Sequence, residues 1–259
     1  MSAPDAQAVS FDLAGKLAVV TGGSRGIGRA IAAGFAAAGA DVVIASRKLD
    51  ACQQAAAQIA ETTGRRTLAV QCHVGDWDSC SALADAVYAE FGHCEVLVNN
   101  AGMSPRYDGL PAVSAELYDK VHAVNARGPF RLSALFGERM AGADGGSIIN
   151  VSTAGSLRPT AVELPYAMAK AGLNALTLGL AGTWAPKVRA NVILPGAFET
   201  DITLAWPAGF KEQAAAMNPM GRIGVPGDLV GLAVFLASDA SSYINGAQIL
   251  ADGGLYRSL

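Results

Sequence analysis

The sequence predicts a doubly wound α/β domain, in which helices cover both faces of a parallel sheet. Short runs rich in β-branched residues alternate with longer alanine-rich stretches along the whole chain. Several runs are continuously apolar, as in Leu17–Val20 and Val42–Ile44, which is typical of strands buried on both faces. No linker rich in proline, glycine or serine divides the 259 residues, so a single domain, 1–259, is expected.

Seven strands are expected, each separated from the next by a segment long enough for a helix. They are placed at Lys16–Val20, Asp41–Ala45, Thr67–Cys72, Cys94–Asn99, Ser147–Ser152, Val188–Leu194 and Ala247–Ala251. Two long apolar segments, Leu117–Met140 and Tyr166–Trp184, are expected to be helical. Residues 1–12, before the first strand, are interpreted as a flexible N-terminal extension.

The composition argues against several classes of protein. Hydrophobic residues make up 51% of the chain, and 19 basic residues nearly balance 22 acidic ones, without a long basic stretch. Nucleic acid is therefore not an expected partner. Neither a signal peptide nor a membrane span is indicated, because the longest uncharged run, Ala171–Pro186, is too short to cross a bilayer. We expect a cytoplasmic protein without a structural metal, since no C-x-x-C pair or histidine at ligand spacing accompanies Cys52, Cys72, Cys80 and Cys94.

A glycine-rich turn follows the first strand and precedes a helical run. It reads Thr21-Gly22-Gly23-Ser24-Arg25-Gly26-Ile27-Gly28. Glycines at such a place permit a tight turn and let the backbone approach a pyrophosphate, while the N-terminus of the helix favours an anion. An ordinary tight turn is the alternative interpretation. The position between a first strand and a helix favours a dinucleotide site, formed by Gly22, Ser24, Arg25, Gly26, Ile27 and Gly28.

The same turn also contains Gly22-x-Ser24-x-Gly26, the nucleophile-elbow pattern of α/β-hydrolases. An elbow likewise lies between a strand and a helix, but it normally follows several strands rather than the first. A serine hydrolase would need a histidine near Ser24, and the histidines of the chain are His73, His93 and His122. Hydrolysis by Ser24 is therefore kept only as an alternative function.

The end of the second strand bears on which dinucleotide is bound. A site for NAD usually has an acidic residue there, which holds the ribose 2′-hydroxyl. This chain has Ser46, followed by Arg47 and Lys48, and Arg25 lies in the glycine turn. Guanidinium groups pair with phosphate oxygens, which a carboxylate would repel. The pattern favours NADP(H), the alternative being that Arg47 and Lys48 begin a solvated helix.

The segment Tyr166-Ala167-Met168-Ala169-Lys170 indicates a reaction. Two residues four apart on a helix lie on one face, which brings Tyr166 and Lys170 together. A phenol has a reference pKa of about 10, and a nearby ammonium and an oxidised nicotinamide ring both favour its phenolate form. Alone, this spacing usually marks an exposed helix face. After the fifth strand of a chain that begins with a glycine turn, it indicates general acid–base chemistry.

The glycine spacing and the Tyr-x-x-x-Lys segment resemble the short-chain dehydrogenase/reductase family. The resemblance extends from Gly15 to Leu255 and includes further motifs, namely Asn99-Asn100-Ala101-Gly102, Val124-Asn125-Ala126, Pro195-Gly196-Ala197-Phe198-Glu199-Thr200 and Asp252-Gly253-Gly254. It implies a Rossmann-type fold and an NADP(H)-dependent oxidoreductase similar to the 3-oxoacyl-carrier-protein reductases. The partner it implies is a small carbonyl or alcohol substrate.

The resemblance also implies roles for residues of these motifs. The cofactor would be flanked by Asn100, Ala101 and Gly102 at the fourth strand, and by Pro195, Gly196 and Thr200 after the sixth. The Asn125 backbone carbonyl would hold a water near Lys170, although a local bond inside a helix is the alternative.

One motif departs from the family pattern. Relatives commonly carry Asp before Val after the third strand and use it on the adenine amine, whereas this chain has His73-Val74. His73 either replaces that contact or lies at the surface.

The family places a carbonyl-orienting serine thirteen residues before the catalytic tyrosine. Counting back from Tyr166 reaches Thr153, and Ser152 lies one residue earlier. Thr153 keeps a hydroxyl donor but has a restricted rotamer because it is β-branched. Side chains alternate along a strand, so Ser152 would point to the opposite face. Thr153 is the favoured residue, with Ser152 as the alternative.

These assignments together predict a mechanism for interconverting a ketone and a secondary alcohol. Hydride passes between the nicotinamide and the carbonyl carbon while Tyr166 exchanges a proton with the oxygen, which Thr153 or Ser152 orients. Lys170 would hold the ribose and lower the pKa of Tyr166, and Asn125 would sit on a water path. A non-catalytic nucleotide-binding protein is a further alternative, but it would have little reason to keep these residues together.

Residues 197–220 are expected to cover the substrate. Their apolar side chains favour a moderately apolar ketone such as a 3-oxoacyl thioester, with an oligomer contact as the alternative use, and they are Ile202, Leu204, Trp206, Phe210 and Met217. Arg158 would either meet an anionic substrate or remain solvated. The two long apolar helices also predict a homo-oligomer, most simply a tetramer, in which Gly254–Leu259 could reach a neighbouring subunit.

Overall fold

The computed structural model describes residues 10–200 and 209–256. Seven strands form one sheet in this part of the chain, with bounds β1 Leu17–Thr21, β2 Asp41–Ser46, β3 Thr67–Gln71, β4 Val96–Asn99, β5 Gly146–Val151, β6 Val188–Pro195 and β7 Gln248–Ala251. All pairings are parallel, and the order across the sheet is β3-β2-β1-β4-β5-β6-β7. The predicted doubly wound, Rossmann-type, seven-stranded sheet is thus confirmed, with strand ends shifted by at most two residues.

Helices cover both faces of this sheet. Their bounds are α1 Gly26–Ala37, α2 Leu49–Thr63, α3 Trp77–Phe91, α4 Ala115–His122, α5 Gly128–Ala141, α6 Leu164–Thr183, α7 Phe210–Met217 and α8 Val230–Ala237. Successive residues of β1 enter different cores: Ala18 and Val20 pack in the cluster that includes residues of α1, α2 and α8, whereas Leu17 and Val19 pack in the cluster that includes residues of α3 and α5. Both faces are therefore buried, which explains the continuously apolar strands.

The strand order places a crevice at the carboxyl end of β1. This strand pairs with β2 on one side and with β4 on the other, so Val20 lies opposite both Ile44 and Val98. The chain reverses its direction of travel across the sheet at this point, and open α/β sheets bind ligands at such switch points. The glycine turn after β1 and the segments after β2 and β4 consequently meet at one edge.

The predicted helical segment Leu117–Met140 is interrupted by a π-helical turn over Ala123–Arg127, between α4 and α5. Asn125 lies in the middle of this turn and is fully buried. Single π-turns inside helices are frequently found at functional sites. Gly128, directly after the turn, lies so close to the loop after β3 that an added Cβ would be 2.0 Å from the Val74 carbonyl oxygen.

Parts of three predicted segments fall outside the described residues, one of them being Gly254–Leu259, of which residues 257–259 are outside. Of the expected extension 1–12, only residues 10–12 are described, and the Phe11 ring lies 6.3 Å from the Phe235 ring. Within 197–220, residues 201–208 are outside, which includes Ile202, Leu204 and Trp206. No helix in the described ranges has the length and apolar character needed to cross a membrane.

Candidate active site

The glycine turn forms a backbone cradle at the start of α1. Gly22 and Gly26 have φ values of 66° and 54°, in the left-handed region that favours glycine. A Cβ on Gly28 would lie 2.4 Å from the Gly22 carbonyl oxygen, so no larger residue fits there. The helix begins after Arg25 without a side-chain cap and without an acidic residue in its first turn. Its terminal N–H groups thus remain suited to bind an anion, and Ser24 and Ile27 lie within the same turn.

Hydrogen bonds join this cradle to the end of β4. The Thr21 hydroxyl donates to the Val98 carbonyl at 3.1 Å and accepts from the backbone N–H groups of Asn100 and Ala101 at 3.1 and 3.2 Å. Asn100 Nδ2 donates to the Thr21 carbonyl at 2.9 Å, which leaves no space for a side chain on Gly22. Asn100 therefore holds the glycine turn in place. Thr21 is a residue that the sequence reasoning did not include among the site residues.

The end of β2 carries the hydroxyl and guanidinium groups from which the sequence predicts a phosphate-binding site. Ser46 Oγ lies 3.0 Å from Cys52 Sγ, and the exposed Arg47 follows it. An open groove runs from Arg47 along the end of β3, lined also by Gln71, His73, Gly75, Asp76 and Ser79. The carboxylate in this lining, that of Asp76, caps α3 by accepting from the Ser79 N–H at 2.7 Å. Arg47 thus lines a groove in which the one acidic side chain, that of Asp76, already caps a helix.

His73 and Val74 border this groove. His73 donates its backbone N–H to Ser79 Oγ at 3.0 Å, and its side-chain Nδ1 is buried without a hydrogen-bond partner among the described residues. Val74 is buried. A buried ring nitrogen without a partner is costly unless a ligand satisfies it, so this lining fits a polar group such as an adenine amine.

Helix α6 brings Tyr166 and Lys170 together. The Lys170 Nζ lies 5.9 Å from the centre of the Tyr166 ring and donates to the Val151 carbonyl at 2.6 Å. Lys170 is only 2% exposed, and burial lowers its pKa to about 7. Gly102 lies next to Lys170, since a Cβ on Gly102 would lie 3.6 Å from Nζ. The cofactor cradle and the Tyr–Lys pair therefore adjoin through the loop after β4.

The pKa of Tyr166 is raised, first by burial and second by the negative charge of Glu163. The lowering expected from Lys170 does not appear, because the effect of burial on the phenol dominates. The phenol is therefore protonated at neutral pH, which suits the donation of a proton to a carbonyl oxygen.

Two adjacent hydroxyls differ in what they contact. Ser152 is buried, and its hydroxyl donates to the Lys170 carbonyl at 3.2 Å. Thr153 is partly exposed at the start of a short 3₁₀ turn, and its Oγ1 accepts from the Gly155 N–H at 3.2 Å. Its hydroxyl proton has no acceptor in the described part of the chain. The geometry favours Thr153 as the hydroxyl presented to a substrate, with Ser152 bonding to α6.

The side chain of Asn125 makes its hydrogen bonds within the protein. Its Nδ2 donates to the carbonyls of Met103 and Val121 at 2.8 and 2.9 Å, and its Oδ1 accepts from the Met103 N–H at 3.2 Å. These bonds hold the loop after β4 against the π-turn. A Cβ on Gly102 would lie 3.0 Å from Oδ1, so Asn125 lies directly below that loop. The water-binding role of its carbonyl stays a prediction.

The segment after β6 closes over the glycine turn. Pro195 ends β6, and the Gly196 N–H donates to the Ala251 carbonyl at 3.1 Å. Thr200 lies across the cradle, because a Cβ on Gly26 would be 3.8 Å from its Cγ2. Of the predicted substrate cover, α7 has no buried residue.

Sequence reasoning missed the pocket beside Tyr166. Its walls are Pro105, Tyr107, Leu117, Val121, Glu163, Pro165 and Tyr166. Tyr107 fixes this wall to the start of α6, since its hydroxyl donates to the Ala161 carbonyl and accepts from the Leu164 N–H. The signal for Glu163 is its position three residues before Tyr166, directly before the start of α6. Arg158, the candidate anion contact, is exposed, with its guanidinium 5.7 Å from the centre of the Tyr256 ring.

A backbone cradle at the switch point of a parallel sheet, next to a Tyr-x-x-x-Lys pair, defines a class of protein: the nucleotide-dependent oxidoreductases. The family model described as enoyl-(acyl carrier protein) reductase matches residues 22–256. The chain belongs to the short-chain dehydrogenase/reductase family, and its relatives are named as dehydrogenases and reductases, which act on CH–OH groups.

Individual relatives differ in what their names say they act on. The 2-dehydro-3-deoxy-D-gluconate 5-dehydrogenase of Pseudoalteromonas atlantica is 39% identical over 94% of this chain and 97% of its own. The 3-oxoacyl-[acyl-carrier-protein] reductase of Chlamydia trachomatis is 37% identical over 94% of this chain and 98% of its own. A gluconate 5-dehydrogenase from Burkholderia cenocepacia, solved with NADP and tartrate, superposes with a TM-score of 0.90 at 32% identity, covering 97% of this chain and 99% of that one.

Proposed function

We propose that this oxidoreductase uses NADP(H) to interconvert a ketone and a secondary alcohol, with Tyr166 as the general acid and base. The observation that carries the proposal is the Tyr166–Lys170 pair on α6, with Lys170 Nζ 5.9 Å from the ring centre. Gly102 connects this pair to the glycine cradle. A hydrolase is disfavoured, because the turn that holds Ser24 follows the first strand, β1, whereas a nucleophile elbow normally follows several strands.

The residues present fit NADP(H). The cradle from Gly22 to Gly28 would hold the pyrophosphate, while Ser46, Arg47 and Arg25 would meet the 2′-phosphate. The adenosine would lie against His73, Val74 and Asn100, and the nicotinamide end against Pro195, Gly196 and Thr200, with Ala101 and Gly102 beside it. When bound, NADP(H) supplies or accepts the hydride.

The residues of the chain supply the remaining chemistry. In reduction, the protonated Tyr166 donates its proton to the carbonyl oxygen, and in oxidation its phenolate removes the alcohol proton. Thr153, or Ser152 as the alternative, donates a hydrogen bond that polarises that oxygen. Lys170 holds the ribose and restores the proton of Tyr166, with the Asn125 carbonyl positioning water nearby.

Two classes of ketone are candidates for the substrate. The name of the Chlamydia trachomatis relative supports a 3-oxoacyl thioester, whereas the names of the dehydrogenases from Pseudoalteromonas atlantica and Burkholderia cenocepacia support a sugar acid. The four cysteines are unpaired, which fits a reducing compartment such as the cytoplasm.

We expect NADPH to bind at least about tenfold more tightly than NADH, because each charge-assisted contact to a phosphate contributes roughly 1.5–3 kcal/mol. Isothermal titration of both cofactors measures the ratio of their affinities, and the double substitution Ser46→Asp with Arg47→Ala should move that ratio toward NADH.

NADPH consumption with a panel of ketones, set against hydrolysis of a generic ester, tests the reaction class. Equal affinities for the two cofactors would refute the cofactor assignment, and ester hydrolysis without ketone reduction would refute the function.

We further propose a homotetramer. Large apolar side chains on α4, α5 and α6 are one-third to one-half exposed in the single chain, namely Tyr118, Phe130, Met168 and Leu178. Burying them between subunits removes apolar surface from water. Light scattering at micromolar concentration should give about four chain masses, and a stable monomer would contradict the proposal.

A further inference from the structure

We propose that Glu163 is a specificity-determining residue, which accepts a hydrogen bond from a hydroxyl on the substrate carbon next to the reacting carbonyl. The preferred substrates are then hydroxy ketones and the corresponding vicinal diols, as found in polyols and sugars. This inference rests on the proposed ketone–alcohol function and narrows its substrate class.

The position of Glu163 supports this role. It immediately precedes α6, three residues before Tyr166, and both residues line the same pocket. Its carboxylate lies against Gly155, where an added Cβ would be 2.7 Å from Oε1. The Gly155 N–H is in turn bonded to Thr153 Oγ1 at 3.2 Å. Glu163 therefore stands beside both groups that would contact the carbonyl oxygen.

Glu163 does not serve the usual structural purpose of an acidic residue at this position. An acidic residue before a helix commonly caps it by accepting from a backbone N–H, but the Glu163 side chain makes no such bond. Among the described residues, its one hydrogen bond comes from Thr160 Oγ1 at 3.5 Å, at the limit of such an interaction. A carboxylate can accept about four hydrogen bonds, so most of this capacity is unused by the protein.

The Glu163 carboxylate is partly buried near two phenols. Its negative charge raises the pKa of both Tyr166 and Tyr256, so it lies near both phenols, and partial burial raises the pKa of Glu163 itself. The same pocket wall contains Pro105 and Leu117, which cannot donate to it, and Tyr107, whose hydroxyl donates to the Ala161 carbonyl. A partly buried carboxylate without strong partners repels an anionic substituent at this position and gains from a hydroxyl donor.

An acyl chain would leave this carboxylate unsatisfied. Sites built to hydrogen-bond a hydroxyl reject analogues that lack it, because their buried polar groups then remain unpaired. A hydroxyl next to the carbonyl meets Glu163 while the carbonyl oxygen meets Thr153 and Tyr166. The chemistry of this wall thus favours hydroxy ketones over simple ketones and 3-oxoacyl chains.

The test compares hydroxyacetone with 2-butanone, two ketones with the same number of non-hydrogen atoms. With saturating NADPH, we expect the wild-type kcat/KM ratio to favour hydroxyacetone by at least about tenfold, since the unpaired acceptor penalises butanone. Glu163→Ala should reduce that ratio to near unity, while Glu163→Gln should recover part of it through its amide oxygen. Glu61→Ala, an exposed acid on α2, is the matched control and should keep the wild-type ratio.

The outcomes separate the inference from the function on which it rests. A wild-type ratio near unity, or an unchanged ratio in both Glu163 variants, overturns the role of Glu163 while ketone reduction stands. Reduction of neither ketone, nor of any other ketone in the panel, overturns the proposed function instead. NADPH titration and thermal melting of each variant identify loss of folding, and Glu163→Gln, which keeps the shape of the side chain, gives the decisive ratio if Glu163→Ala does not fold.

Discussion

Replacing Tyr166 by phenylalanine should lower kcat for ketone reduction by roughly 10²–10⁴, the usual contribution of a positioned general acid. The substitution removes only the hydroxyl, which is the proton donor, and keeps the ring in the wall formed with Pro105 and Pro165. Steady-state NADPH oxidation, measured with a ketone that the wild type reduces, gives kcat directly.

NADPH affinity should change little in this variant, because the glycine cradle and Lys170 are untouched. Tyr243→Phe is the matched control, since Tyr243 is 99% exposed and the same atom is removed. A Tyr166→Phe enzyme with the kcat of the wild type would contradict the acid–base assignment. Loss of NADPH binding together with turnover would indicate damage to the cofactor site rather than to the chemistry.

Replacing Thr153 by alanine should lower kcat by roughly 10²–10³, the scale of one lost oxyanion-type donor. The reason is that Thr153 is partly exposed and its Oγ1 only accepts from the Gly155 N–H, whereas the buried Ser152 hydroxyl donates to the Lys170 carbonyl. Thr153→Ser should retain or raise kcat, because the donor stays and the rotamer restriction is lifted. The same NADPH assay measures all three variants.

Ser152→Ala is the matched comparison and should have a small effect on kcat, since it removes one buried hydrogen bond to α6. If Ser152→Ala abolishes turnover while Thr153→Ala leaves it intact, the orienting hydroxyl belongs to Ser152. If neither substitution matters and Tyr166→Phe is inactive, another group must polarise the carbonyl.

The fold could be predicted because burial leaves a direct mark on the sequence. Strands covered on both faces are mostly apolar, as Val42–Ile44 is, and the spacing between such runs indicated the helices. The order of strands left no such mark. It depends on which edges pair, and β1 pairs with β4 through contacts that cross almost eighty residues. The π-turn around Asn125 could not be predicted either, since one extra backbone residue in a helix hardly changes the apolar pattern of the sequence.

The candidate site could be predicted where a motif has its own geometry. The glycine turn and the Tyr166–Lys170 spacing belong to this kind, and the structure brings them together. Residues whose role depends on their three-dimensional surroundings could not be predicted. Glu163 is an ordinary acid in the sequence, and only its position against Gly155 distinguishes it. The sign of the pKa shift at Tyr166 likewise depends on burial, which a four-residue spacing does not contain.

The central position of β1 has a consequence for how the chain folds as it leaves the ribosome. Its pairing with β2 becomes available early, but its other edge stays unpaired until β4 has been synthesised, 77 residues after Thr21 in the case of the Thr21–Val98 bond. Until then this strand, which is apolar from Leu17 to Val20, carries unsatisfied backbone groups, which makes it a template for association with other chains. Parallel pairing over such a separation is also intrinsically slow. The strand that organises the cofactor site is therefore the part of the nascent protein most in need of protection.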